Sequence, residues 1–244
     1  HNPPQDNGFK AYWSDGAQVV PPHDAAIIAQ AEAVTHIRRL DYDKAIDKGL
    51  IKPLGKEVDD AYIQETQLHV SDARLGRIVF TPLHGVGATS ILPALGALGF
   101  SDVHVVDAQN DGNGNFPTLP GGVANPESPE AMTLAIQKAT EIGADLVIAS
   151  DPDADRLGCA LPLPDCGWDA APSDLALNGN QIGALLCHYI LSGRKARGEL
   201  PARPVVCETI VTTDLTGLIA QSFGARVVDN LLVGFKYIAA AIAS

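Results

Sequence analysis

The chain has 244 residues, 46% of them hydrophobic and 19% charged, with a formal net charge of -12 at pH 7. That length and apolar content suffice for a buried core and exclude a disordered polar chain. The charge, with no Lys/Arg cluster to offset it, excludes broad attraction to nucleic acid or to an anionic membrane, so an anionic substrate needs local cations.

Residues 8–20 alternate aromatic or branched residues with polar ones around Ser14-Asp15-Gly16, which predicts two short strands joined by a D-G turn. Pro21-Pro22-His23-Asp24 then opens an alanine and isoleucine helix reaching about residue 35 and closing the end of a domain. Residues 41–70 are polar and irregular and read as a linker with some helix. From Gly76 onward strand and helix alternate: a strand at 77–81, a helix at 88–98 stopped by Gly99, and a strand at 103–106. A helix beginning at Ser128-Pro129-Glu130, with the serine as its cap, runs to Gly143 and feeds a strand at 146–149. Three strands linked by helices predict a doubly wound, mostly parallel α/β sheet. The connection from Asp107 to Thr118 is long enough to be a functional flap. A helix at 178–191, a basic proline-containing stretch at 194–204, a strand at 205–207, a helix at 215–223 and a strand at 226–228 open a further α/β unit. The expected division is 1–45, 46–196 and 197–244, with the first and last units incomplete.

Cys159, Cys166, Cys187 and Cys207 have neither C-x-x-C spacing nor the density of a disulfide scaffold, which favours reduced thiols and a cytoplasmic protein. No apolar segment reaches the roughly 20 residues that span a bilayer, and no charged leader with an apolar region opens the chain.

The densest chemistry lies in Asp151-Pro152-Asp153-Ala154-Asp155, followed at once by Arg156, directly after the buried run Leu146-Val147-Ile148-Ala149. Ligands of α/β proteins gather at strand tips. Acids at alternate positions of an extended segment point to one side and repel unless a cation neutralises them. Ligands that are all oxygen suit magnesium or calcium, and Arg156 offers a fork for a phosphate. A calcium loop of the EF-hand type is excluded, because it needs glycine and glutamate where Arg156 and Pro162 stand. A phosphatase of the haloacid dehalogenase type stays open, although such enzymes place threonine or valine where Asp155 stands. A solvated acidic turn is the plain alternative. In the second motif, Thr81-Pro82-Leu83-His84-Gly85-Val86-Gly87, a glycine turn joins a strand to a helix and can bring amides to an anion. With Asp107 at the end of the next strand it also allows a partial dinucleotide-binding reading, weakened by Ser90 at the third glycine position.

Taken with His1-Asn2-Pro3, Asn7-Gly8-Phe9-Lys10, Asn125-Pro126-Glu127 and Gly234-Phe235-Lys236, these motifs occur in an order that resembles the α-D-phosphohexomutase family of phosphoglucomutases and phosphomannomutases. The resemblance covers nearly the whole chain. It implies a fragment of a four-domain enzyme: the end of the first domain, a complete metal-binding second and the opening of the third. It implies Mg2+ held by Asp151, Asp153 and Asp155, a phosphorylated serine immediately ahead of His1, and Arg156 at the phosphate. His1 and Lys10 would lie beside that serine, with Lys10 as general acid or base. Gly234, Phe235 and Lys236 would recognise the sugar phosphate, although other members carry histidine where Phe235 stands. The implied reaction is reversible phosphate transfer between the 1- and 6-positions of glucose or mannose phosphate through a bisphosphate. The chain alone would then be inactive. A metal-binding α/β module with phosphatase activity, or with none, is the competing expectation.

Overall fold

The computed structural model describes residues 10–14, 16–66 and 76–243. Near the amino end the Trp13 N–H donates to the Ala17 carbonyl and that of Val19 to Ala11. Among the described residues the expected hairpin shows one antiparallel bridge, between Tyr12 and Gln18, and Gly8, Phe9 and Asp15 lie outside them. Helix α1 (His23–Glu32) comes next, with Asp24 in its first turn where a carboxylate meets the positive end of the helix dipole. The polar segment holds α2 (Tyr42–Asp47), capped by the Asp41 side chain accepting from the Lys44 N–H, and α3 (Lys56–Thr66).

The central unit is built on β1 (Ile78–Thr81), buried at every residue. It is followed by α4 (Ala88–Ala97), β2 (Val103–Val105), α5 (Thr133–Ile142) and β3 (Leu146–Ser150), and then by β4 (Leu157–Ala160), α6 (Pro172–Leu175) and β5 (Ala176–Leu177). The sheet order is β2-β1-β3-β4-β5. β2, β1 and β3 run parallel, as strand and helix alternation requires, whereas β4 and β5 are antiparallel additions. The core packs Val79, Val147 and Ala149 of the sheet against Ala135, Ile136 and Ala139 of α5.

Two local expectations change. Ser128 does not cap a helix: its hydroxyl donates to Glu130 Oε2 at 2.7 Å, and a 3-10 turn over Pro129–Met132 precedes α5. Gly143 does close α5, in the left-handed conformation at φ 63°. The expected flap after β2 is pinned to the core at Gln109 and Phe116, which are buried, while most of residues 107–118 are exposed.

A second core gathers α7 (Gly179–Arg197), β6 (Val205–Thr209), α8 (Asp214–Ser222) and β7 (Arg226–Leu231), with α9 (Phe235–Ala243) after them. β6 and β7 pair in parallel. A reciprocal cap between Asn178 and Gln181 starts α7. Leu191 and Cys187 of this helix pack with Ala220, Phe223, Ala225 and Val227. The division expected near Arg197 therefore falls at the far end of a helix that belongs with β6, α8 and β7. No helix among the described residues is long and apolar enough to cross a membrane.

Candidate metal centre

β1 and β3 are adjacent and parallel, so the turn after Thr81 and the acidic loop after Ser150 leave the same edge of the sheet. The acidic loop does not lead to a crossover helix. It turns back at once into β4, with Ser150 paired to Leu157. Ala154 takes a left-handed φ of 59° and donates its N–H to the Asp151 carbonyl at 3.0 Å. The acids thus converge through a tight turn and not, as alternation along an extended segment would have it, by pointing to one side.

Asp151, Asp153 and Asp155 each present a carboxylate oxygen, and these atoms all lie within 4.8 Å of one another. Asp151 is wholly buried, while Asp153 and Asp155 are exposed. Burial alone would raise Asp151. Donation from the Arg156 N–H at 2.9 Å and Nε at 3.0 Å, with its contacts to Asp153 and Asp155, outweighs burial and holds the carboxyl below its ordinary value. Asp155 is pushed up, first by desolvation and then by the Asp151 and Asp153 carboxylates. Two like unit charges about 4 Å apart repel by about 4 kcal/mol at an effective dielectric near 20. A hard dication relieves that repulsion, and a donor set made only of oxygens, with one ligand locked in place by Arg156, fits a hard divalent cation such as magnesium or calcium.

Arg156 is more committed than the sequence suggests. Besides holding Asp151, its Nη1 donates to Asn125 Oδ1 at 3.3 Å, so the Asn125-Pro126-Glu127 segment is tied to the acidic loop. Gly158 in β4 lets the two approach, because a Cβ there would come within 2.2 Å of the Pro126 carbonyl oxygen. Sequence reasoning misses the role of Asn125 as a brace; its place in the Asn-Pro-Glu motif is the only signal.

The glycine turn does not face a dinucleotide. Val86 donates its N–H to the Pro152 carbonyl at 2.9 Å, and Gly85 N–H to Pro82 at 2.8 Å. A Cβ on Gly85 would lie 2.2 Å from the Pro152 Cα. Asp107, the would-be ribose ligand, instead pairs with Lys138 Nζ at 3.4 Å. The turn is a backing for the acidic loop.

Lys10 and Lys236 come together elsewhere, lining one cavity of 270 Å³ with Gln18, Asp24 and Ile27. None of its lining residues comes from the acidic loop. Lys236 stands over the Tyr237 ring at 5.3 Å, Gly234 has a φ of 131°, and Phe235 opens α9 with 75% of its surface exposed. His1 lies outside the described residues, as do Asn7, Gly8 and Phe9.

Models of the phosphoglucomutase/phosphomannomutase alpha/beta/alpha domains I, II and III match residues 1–38, 60–163 and 178–244. The phosphoglucomutase of Staphylococcus saprophyticus is 33% identical over 98% of the chain and 42% of its own length. That of Staphylococcus aureus strain N315 is 36% identical over 98% of the chain and, again, 42% of its own length. The chain spans less than half the length of these curated relatives. The crystal structure of a phosphoglucomutase/phosphomannomutase family protein from Burkholderia thailandensis superposes with a TM-score of 0.57 at 20% identity, covering 76% of this chain and 35% of that one, which shows a shared fold. With three successive domain models matching in order, and relatives above 30% identity along almost all of its length, the chain belongs to the phosphoglucomutase/phosphomannomutase family.

Proposed function

We propose that this chain is the segment of a magnesium-dependent phosphohexomutase that carries the metal centre, in an enzyme interconverting hexose 1-phosphate and hexose 6-phosphate through a phosphoserine and a bisphosphate. The observation that carries the reading is the convergence of Asp151, Asp153 and Asp155 at a sheet edge, with Asp151 buried and held by Arg156. These three residues would hold Mg2+, which when bound supplies charge neutralisation for phosphoryl transfer. Such transfer asks the protein mainly for positioning and for positive charge around the moving group. Arg156 contributes fixed charge at the mouth of the loop. Lys10 moves the proton at the sugar hydroxyl, with His1 beside the serine that the family resemblance places immediately ahead of it. Gly234, Phe235 and Lys236 orient the sugar phosphate, and the cavity that Lys10 shares with Lys236 supports placing their two roles on one substrate. The four cysteines are free thiols, which supports a reducing, cytoplasmic setting.

A coupled mutase assay on the full-length protein, with glucose 1-phosphate and mannose 1-phosphate in turn, tests the reading. Turnover that depends on magnesium and collapses in Asp153→Asn is the expected result. Turnover unaffected by chelation and by that substitution would sink it, and phosphate release without isomerisation would favour a phosphatase.

A further inference from the structure

We propose that His84 is a positioning residue for the metal centre, tying the loop after β2 to the turn that backs the acidic loop. The inference rests on the reading of Asp151, Asp153 and Asp155 as metal ligands, and it concerns residues that touch none of them directly.

His84 is buried, with its side chain fully enclosed, and both ring nitrogens are engaged: Nδ1 with Asp111 Oδ1 and Nε2 with Thr118 Oγ1 at 2.8 Å. Its own N–H donates to the Gln109 carbonyl at 2.8 Å. Gln109 in turn accepts from Thr81 Oγ1 at 2.7 Å and donates to Thr118 Oγ1 at 3.0 Å. A closed polar network therefore fastens the loop to the tip of β1. Leu83 and His84 both hold left-handed backbone, at φ 47° and 64°. Side chains with a Cβ seldom adopt that conformation, and it persists where surroundings over-determine it. Here the histidine tether supplies the determination.

What the tether orients is the next three residues. With Leu83 and His84 turned, Gly85 presents its bare Cα to Pro152, and Val86 N–H reaches the Pro152 carbonyl. Pro152 sits between Asp151 and Asp153. Asp151 is already held by Arg156, so the contact on Pro152 sets where Asp153 leaves the sheet edge. Groups that orient ligands from behind are worth about 10- to 100-fold in metal affinity when removed. His84 acts one contact further back, so about tenfold is expected.

Magnesium affinity measured by titration calorimetry, at a temperature where every variant is folded, tests this directly. His84→Gly keeps the left-handed backbone accessible while removing the tether, and it should bind magnesium about tenfold more weakly than the parent. Thr118→Val removes one of the two ring partners and should give a smaller loss in the same direction, which covers the case in which His84→Gly does not fold. Met132→Ala, a fully buried core change in the same unit, lowers stability without touching the turn and should leave affinity unchanged. Parent-like affinity in His84→Gly and Thr118→Val, alongside lost binding in Asp153→Asn, would overturn the role of His84 and leave the metal site standing. An equal loss in Met132→Ala would also overturn it, as a mere stability effect. Unchanged binding in Asp153→Asn would remove the metal reading itself and the inference with it.

Discussion

Arg156 grips Asp151 with two donors, its backbone N–H to Oδ1 at 2.9 Å and its Nε to Oδ2 at 3.0 Å. A lysine at this position keeps the backbone bond and a charge, but as a point donor it cannot also reach Asn125. Arg156→Lys should therefore lower stability by about 1–3 kcal/mol, because one Nζ cannot replace both the Nε bond to the buried Asp151 carboxylate and the Nη1 bond to Asn125. Equilibrium urea unfolding reads this, and a change below roughly 0.5 kcal/mol, the scatter of neutral surface substitutions, would contradict it.

Lys10 and Lys236 line one cavity yet should fail differently. In steady-state assays of the full-length protein, Lys10→Met is expected to cut kcat by about 10²- to 10⁴-fold with KM little changed, the pattern for a lost proton-transfer group. Lys236→Met should raise KM with kcat nearly intact, the pattern for lost uniform binding. Identical profiles for the two variants would refute separate roles.

Two glycines should respond with opposite sign to the same substitution. A Cβ on Gly158 meets the Pro126 carbonyl oxygen at 2.2 Å, so Gly158→Ala should cost about 1–3 kcal/mol through overpacking. Gly96 in α4 has nothing within 4 Å of its would-be Cβ, and Gly96→Ala should stabilise by about 0.5–1 kcal/mol through helix propensity. Thermal melts of the pair decide it; destabilisation by both would contradict the open space beside α4.

Glu208 on β6 is buried, with Oε2 lacking a partner among the described residues. Its carboxyl is pushed up, first by desolvation, then by Asp229 and Asp214, against the Gly217 N–H that favours the charged form. With the folded value above the ordinary 4.5, the native state holds the proton more tightly than the unfolded chain. Stability is therefore lost as pH rises above 4.5 through the folded value, and the penalty is complete only above it. Glu208→Gln should add on the order of 1 kcal/mol at neutral pH, comparable to one buried polar contact, and nothing below pH 4.5. A gain of equal size at both pH values would show that charge is not its source.

Much of the central unit is readable because its signals are local. Apolar runs mark β1 and β3, Gly99 and Gly143 stop the helices, and the acids announce themselves by their crowding. The unreadable features depend on partners distant along the chain. Leu157–Ala160 is too short to declare whether it pairs parallel or antiparallel, and only its register with β3 shows the hairpin. The amphipathic face of α7 can pack on either core as far as spacing tells, and only the fold shows Leu191 and Cys187 meeting Ala220 and Phe223. His84 meets Asp111 and Thr118, 27 and 34 residues further on. No spacing rule joins those three, and the glycine turn invites a dinucleotide reading because the amides taken up by Pro152 and Pro82 look free in the sequence.

The hairpin also governs where this chain tolerates a change of length. Ser150 pairs with Leu157 and Ala149 with Gly158, so both arms of the ligand loop are clamped in one ladder. Deleting or adding a single residue between them would slide β4 by one position and turn its buried positions, Gly158 and Ala160, to the opposite face. The bend just beyond, closed by the bridge between Leu163 and Gly167, presents exposed Pro164, Asp165 and Cys166 and can grow outward without disturbing any ladder.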